Sequence, residues 1–413
     1  MVPKLRFADF FDKWISSTLS DASVQIIDGD RGSNYPSSGD FRPMGFCLFL
    51  NAGNVTRNGF RFDDVMFITE EKDSELRKGK LQRGDIVLTT RGTLGNTAFY
   101  NNQISLENIR INSGMVLVRT KQIVTPDFLY LYFKSGYFNS WLNKVAFGSA
   151  QPQLTVKIIN ALSIFFPSKN EQTKIADFLS SVDEKIALLN KQYELLCQYK
   201  KGMMQKIFSQ ELRFKNENGK DYPKWKYSVL GNVTYLITNG LVIDQNDQGK
   251  GYPVSRIETI SERKINLSKV GYVDTSKNIS NYRLNYGDML FSNINSISHI
   301  GKIAYFDINE ELYHGMNLLR IVIDNNNSSL FFYHQLTAES KKKYFESRAN
   351  QAVSQASINQ SELKRTPIWI PCIDEQTKIA NFLSAIDDKI TTKKIELDKL
   401  KTWKQGLLQQ MFI

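Results

Sequence analysis

The sequence predicts an α/β (α+β) chain built twice, as two similar globular domains, each followed by a long helix, with the helices pairing as a coiled coil. Three observations predict this: a near-identical segment that recurs at a fixed offset, a narrow apolar stripe through both copies, and β-rich runs between them. The expected order is a first domain over 1–168, a helix over 169–208, a second domain over 209–372 and a second helix over 373–413.

The repeat comes first, because self-similarity at a fixed period decides an architecture before local patterns do. Glu171-Gln-Thr-Lys-Ile-Ala-Asp-Phe-Leu-Ser-Ser-Val-Asp-Glu-Lys-Ile186 recurs as Glu375-Gln-Thr-Lys-Ile-Ala-Asn-Phe-Leu-Ser-Ala-Ile-Asp-Asp-Lys-Ile390, with 12 of 16 positions identical at an offset of 204. The same offset carries Pro167 onto Pro371, Gln151 onto Gln355, Gly202 onto Gly406 and Phe208 onto Phe412. The chain is a tandem duplication.

Each repeated segment reads as a long helix. Ile175, Leu179, Val182, Ile186, Leu189, Tyr193, Leu196, Met203 and Ile207 follow a 4-3-4-3 spacing broken only at Lys200. In the second copy Ile379, Leu383, Ile386, Ile390, Leu397, Leu400, Leu407 and Met411 do the same, with breaks at Lys393 and Lys404. That is the two-in-seven seam of a coiled coil rather than the wider face of an ordinary surface helix. At about 1.5 Å per residue, a helix of this length spans roughly 57 Å.

The domains echo each other more faintly. Leu5-Arg-Phe7 followed by Trp14 matches Leu212-Arg-Phe214 followed by Trp225. Gly84-Asp85-Ile86 matches Gly287-Asp288-Met289, and Gly95-Asn-Thr-Ala-Phe99 matches Gly301-Lys-Ile-Ala-Tyr305. The runs 114–118 and 318–323 read as strands, and the stretches near 126–144 and 328–348 as helices. A shared frame with dissimilar polar loops implies one scaffold carrying two different surfaces.

Composition narrows the function. The formal net charge is +11, with +5 over residues 1–170 and +3 over 209–374, so the excess lies on both folded domains rather than on a basic tail. Such a surface suits a polyanion. Cys47, Cys197 and Cys372 are too few and too far apart for a disulfide framework or a Cys-rich zinc site, which fits a reducing cytoplasm. No run of about 18 apolar residues suggests a membrane span, and the first residues do not read as a secretory signal.

Catalytic patterns were sought. Gly249-Lys-Gly251 lacks the spacing and hydroxyl of a phosphate loop, and no dinucleotide fingerprint or amino-methyltransferase tetrapeptide occurs. Asp64, Glu70 and Lys72 form the nearest approach to a metal-nuclease set, but Thr69-Glu-Glu-Lys-Asp-Ser-Glu75 reads as a solvated charge run. His299, His314 and His334 all lie in the second half, so a duplicated site could not share them; they read as packing or surface residues. No metal site is expected.

The domain–helix–domain–helix order, the Glu-Gln-Thr-Lys-Ile-Ala-x-Phe-Leu-Ser repeats, Pro167 and Pro371 ahead of them, and the Leu-Arg-Phe…Trp segments closely resemble the specificity subunits of type I restriction–modification systems. The resemblance spans essentially the whole chain, strong in the helices and weak in the divergent domains. It implies two target-recognition domains, each reading one half of a split DNA site, with an antiparallel helix pair fixing their separation and pseudo-twofold symmetry overall. It also implies no catalytic centre in this chain. Two methyltransferase subunits and the motor-nuclease subunits would be the partners, with S-adenosylmethionine, ATP and Mg held there. The competing reading is a non-catalytic scaffold that binds proteins or glycans through its two domains; a close cousin is the recognition subunit of another two-site restriction system.

Candidate DNA contacts follow from position. In the first domain they are Arg57, Arg61, Thr90, Arg91, Asn96, Gln151 and Gln153; in the second, Arg256, Ser292, Asn293, Asn295, Lys302, Gln355 and Ser357. Arg, Asn, Gln and Ser are the side chains that match base edges, and Arg and Lys those that hold phosphates. Gly84-Asp85 and Gly287-Asp288 read as turns, and Lys341-Lys-Lys343 as a solvated helix face.

Overall fold

The computed structural model describes residues 2–146, 153–351 and 355–412. It divides into two compact units, Met1–Asn190 with Glu396–Ile413, and Lys191–Ile395. The boundaries differ from those read off the sequence, because each unit incorporates half of each long helix. The helices Lys169–Phe208 and Ile373–Met411 run 40 and 39 residues without interruption.

At the centre of the first unit is an antiparallel sheet in the order Gln25–Asp28, Met115–Arg119, Ile86–Thr89, Thr97–Phe99. Its middle strands are covered on both faces, which explains why they read as continuous apolar runs rather than alternating ones. Val116, Val118, Ile86 and Leu88 face a core shared with Trp14, Phe128 and the long helices. Met115, Leu117 and Val87 face the opposite core, with Leu48, Leu50 and Tyr100. A second sheet pairs Cys47–Leu50 antiparallel with Phe67–Ile68 and parallel with Ile109–Ile111. The strand Ile15–Thr18 pairs with Ser163–Phe166, tying the two ends of the domain together.

The second unit repeats that plan. Thr234–Asn239, Leu318–Ile323, Met289–Ser292 and Ile303–Tyr305 follow the same strand order, and Lys226–Val229 pairs with Pro367–Ile370. The Gly-Asp and Gly95/Gly301 echoes lead into equivalent strands, and the Leu-Arg-Phe…Trp segments precede the equivalent strands Ile15–Thr18 and Lys226–Val229. The expected single helices are each two short ones: Pro126–Tyr132 and Gly136–Ala146, then Ser329–Leu336 and Glu339–Arg348. The first helix of each pair ends where a backbone N–H turns back three residues, from Ser135 to the Tyr132 carbonyl and from Ala338 to the Gln335 carbonyl.

The repeats fasten each domain to its helix. Glu171 is buried, and its carboxylate accepts two hydrogen bonds from Arg6 at 2.7 Å and one from the Trp14 indole at 3.3 Å. In the second unit Glu375 accepts from Arg213 at 2.6 and 3.2 Å and from Trp225 at 2.9 Å. The next residue completes the joint. The Gln172 amide oxygen accepts from the Thr125 N–H and its nitrogen donates to Pro167, as Gln376 does with Ser328 and Pro371.

The apolar seam is shared between the helices and the domains. Ile175, Leu179 and Val182 are buried together with Leu407, Leu408, Met411 and the domain side chains Trp14 and Phe128, with Ile186 packed at the margin. In the second unit Ile379, Leu383 and Ile386 are buried with Met204, Ile207 and Phe331, with Ile390 at the margin. Leu189 and Leu397 are also buried. Within each unit an early stretch of one helix packs on a late stretch of the other, which makes the pairing antiparallel. Asp183 pairs with Lys404 at 2.5 Å in one unit and Lys200 with Asp387 at 2.6 Å in the other. These two ion pairs map onto each other at the 204 offset, so two of the seam's interruptions are interhelical contacts.

Candidate nucleic-acid interface

In the first unit a hairpin, a turn and the segment at Gln153 lie together. The hairpin Val55–Thr56/Gly59–Phe60 presents Arg57, exposed, near its tip. Beside it the turn between strands Ile86–Thr89 and Thr97–Phe99 presents Arg91, also exposed. This turn is closed from within: the Thr89 hydroxyl donates to the Thr93 carbonyl and accepts from the Asn96 N–H. Gly95 sits at φ +77, a conformation glycine adopts readily, with Leu142 packed behind it. A rigid polar turn with one long cation pointing outward is what base-edge or phosphate recognition requires, since disorder would charge binding with an entropy cost.

The structure distinguishes among the first unit's candidates. Asn96 and Thr90 are buried, with their polar groups spent internally. The Asn96 amide donates to the Val55 carbonyl at 3.0 Å, tying the turn to the hairpin, and the Thr90 hydroxyl donates to Gly114 at 2.9 Å. As candidate contacts both are corrected: they shape the surface, because a buried side chain already satisfied by a carbonyl has nothing to offer a base. Arg61 is exposed, 3.9 Å from Asp63. Gln153 is exposed, and in the amide orientation that satisfies both its atoms its oxygen accepts from the Arg91 guanidinium at 3.0 and 3.1 Å. The Leu154 N–H donates to the Thr90 carbonyl, which holds Gln153 against the turn. Gln151 lies outside the described residues.

In the second unit the expected segments also meet, by a different construction. Ile294–Asn295 pairs with Ala356–Ser357, which pairs with Asn350–Gln351. Asn295 and Ser357 therefore stand on one small ribbon, with exposed Gln355 immediately ahead of its middle strand. Ser292 and Asn293 are buried beneath it: the Ser292 hydroxyl accepts from the Asn295 amide at 3.2 Å, and the Asn293 carbonyl accepts from the Ile358 N–H. Burial removes both from the outward-facing contacts, Ser292 with its hydroxyl engaged and Asn293 with its side-chain oxygen unpartnered.

Two second-unit cations are engaged within the protein. The Arg256 guanidinium donates to Gln245 at 2.7 Å and to Asp247 at 2.5 Å. Lys302 donates to the Ser261 carbonyl at 2.7 Å and stands 3.0 Å from His299 Nδ1. Burial, with Arg263 and Lys342 adding to it, pushes the Lys302 ammonium below the usual lysine range. Both are engaged by partners within their own unit.

Other residues fall as follows. Asp85 accepts from the Gln82 N–H and pairs with Arg119, and Asp288 accepts from the Asn285 N–H and pairs with Arg320, so both are turn residues with an added buried ion pair. His314 and His334 are buried, and burial lowers them to about 4 and about 3. Lys341 departs from the expected solvated face, since its ammonium donates to the Pro367 carbonyl. Sequence reasoning passed over Lys134, half-buried behind the Arg57 hairpin. Among the described residues no group of three or more His, Cys, Asp or Glu is placed to hold a metal, and no helix is long and apolar enough to cross a membrane.

Comparison with known proteins follows the same lines. Residues 14–198 and 222–402 each match the family described as type I restriction modification DNA specificity domain. The chain is 40% identical over 210 residues to a Methanocaldococcus jannaschii protein assigned as the MjaX type I restriction enzyme specificity subunit; the match covers 50% of this chain and 49% of that relative, so it spans about half of the relative's length. It is 19% identical over 386 residues to the Escherichia coli EcoKI specificity subunit, covering 89% of this chain and 80% of that one. Among solved structures, the S subunit of a type I restriction–modification system from M. genitalium superposes with a TM-score of 0.62 at 17% identity, covering 100% of this chain and 99% of the other.

Proposed function

We propose, because this chain belongs to the type I restriction modification DNA specificity family, that each of its two units reads one half of a split duplex site. The observation that carries the proposal is the duplication. The helical repeats are nearly identical, while the surfaces that the two frames present differ: an arginine-bearing turn and hairpin in one unit, an Asn/Gln/Ser ribbon in the other. A scaffold that bound the same partner twice would have no need of two unlike surfaces, so the scaffold reading is not favoured.

The chemistry follows from those groups. Arg57, Arg61 and Arg91 supply phosphate contacts or bidentate contacts to guanine, while Gln153, Asn295, Gln355 and Ser357 supply donors and acceptors for base edges. Each good bidentate contact contributes about 1–3 kcal/mol of discrimination, so a few per unit suffice for a half-site of a few base pairs. Half-site spacing is a geometric quantity, which a stiff helix pair can set and a flexible linker cannot.

The helix pair also docks two methyltransferase subunits, and the motor-nuclease subunits join through that complex. S-adenosylmethionine, ATP and Mg reside on those partners, and this chain contributes recognition and no catalytic group. An adenine to be methylated must leave the stack, so the two units grip DNA while it is distorted.

The test is to co-purify the chain with its methyltransferase partner and map methylated adenines across a genome. A two-part motif with a fixed unspecified spacer is expected, and exchanging residues 1–150 for those of a relative should change one half only. Scattered or absent methylation by a partner that binds its methyl donor would overturn the reading in favour of a scaffold.

A further inference from the structure

We propose that Lys134 is a positioning residue for the first unit's reading surface, clamping the tip of the Arg57 hairpin to the strand that follows the Arg91 turn. The proposal rests on the DNA-reading function above and identifies what holds one half of it in shape. Lys134 stands just beyond the helix Pro126–Tyr132, and its ammonium donates to the Arg57 carbonyl at 2.8 Å and to the Thr97 carbonyl at 2.9 Å. The Tyr130 ring lies 5.0 Å away on the same side.

The hairpin needs such a tie. Its strands are two residues each, too short to hold a fixed shape alone. Asn96 anchors its first strand through the Val55 carbonyl, and Lys134 anchors the far side through Arg57 itself. Arg57 is thus presented by a backbone held at both ends, with its own carbonyl fixed while its guanidinium remains exposed.

The choice of lysine also requires a reason. A half-buried ammonium is costlier than an apolar side chain unless its hydrogen bonds are needed. Burial lowers Lys134 to about 8, the neighbouring Lys404 pushes it the same way, and Asp183 opposes them. Asp183 and Lys404 are the ion pair of the helix seam in this unit. Aligned on Phe128 and Phe331, which each pack edge-on against Trp14 or Trp225, the same position in the second unit is Thr337. Its hydroxyl returns to the Tyr333 and His334 carbonyls of its own helix, so the clamp belongs to the first unit.

The test uses the full chain with its methyltransferase partner, as wild type, Lys134→Met and Lys134→Arg, on duplexes carrying the mapped motif with either half-site scrambled. Lys134→Met should lower discrimination at the first unit's half-site about tenfold while leaving the other half-site within about twofold, and Lys134→Arg should recover most of it. In the free chain, amide exchange across residues 55–60 should quicken about tenfold in Lys134→Met alone. Unchanged exchange there, or equal loss at both half-sites, would overturn the clamp. If Lys134→Met fails to fold, Lys134→Gln, which keeps a neutral donor, should show a smaller loss in the same direction at the first half-site and in the exchange of residues 55–60, and no change in either would overturn the clamp. A wild type that does not discriminate between the duplexes sinks the DNA-reading function itself, while the exchange of residues 55–60 still decides whether Lys134 holds the hairpin.

Discussion

Glu171 and Glu375 open the two repeats, and each is almost wholly buried with an arginine and an indole on its carboxylate. Removing one partner of such a pair strands a charge in a dry site, which costs more than the pair contributes. Glu171→Ala should therefore destabilise the first unit by about 2–4 kcal/mol, leaving Arg6 without its carboxylate, and Glu375→Ala should do the same to the second. Denaturant unfolding with limited proteolysis, cleavage sites mapped by mass spectrometry, should show only the substituted unit opening early. A shift under about 0.5 kcal/mol, the range of ordinary surface changes, would show the joint to be incidental. Both halves of this joint were visible in the sequence, as Leu-Arg-Phe…Trp and Glu-Gln-Thr repeated in the same order, but read as two motifs. The complementary charges of Arg6 with Glu171 and Arg213 with Glu375 were the signal that they are one. No comparable signal marked Thr90, Asn96, Ser292 and Asn293 as buried. Polar residues at the ends of strands look alike whether they face solvent or satisfy a neighbouring loop.

At the scale of elements, the 4-3 spacing gave the long helices and their seam, and Gly-Asp followed by an apolar run placed the equivalent central strands. The short helices were read as continuous helical stretches because apolar periodicity passes straight through a break of two or three residues. Lys200 and Lys404 looked like defects in the seam, and are its specific contacts. A seam of Ile, Leu and Val tolerates several registers; a half-buried ion pair tolerates one. Lys404→Asp should cost about 1 kcal/mol by setting two carboxylates together, and Asp183→Lys with Lys404→Asp should restore most of it. A double-mutant cycle on unfolding free energy measures this. A coupling energy near zero would mean that the apolar seam alone sets the register. The same cycle on Lys200 and Asp387 should give a similar coupling, since the two pairs are copies.

For the whole molecule, duplication separates what must stay constant from what must vary. The repeats fix the joints and the seam; the loops between the shared strands are free to diverge, and it is there that the sequence alone could not say which side chains face outward. That separation predicts that length and specificity can be changed independently. Seven residues added to the first long helix after Asn190, with seven more added to the second before Glu396, preserve the heptad phase and leave both ion pairs and both cores intact. Each helix grows by about 10.5 Å, the length of about three base pairs of duplex at 3.4 Å each. Methylation mapping should then return the same two half-sites with a spacer longer by about that amount. The added base pairs also rotate one half-site about the duplex axis by roughly a quarter turn or more, at about 10.5 base pairs per turn. Affinity should therefore fall even where the motif is correct, and duplexes offering neighbouring spacer lengths should show which compromise between rise and rotation the protein accepts. Altered half-site bases would mean that the helices take part in reading. An unchanged spacer would mean that something other than the helix pair sets the distance.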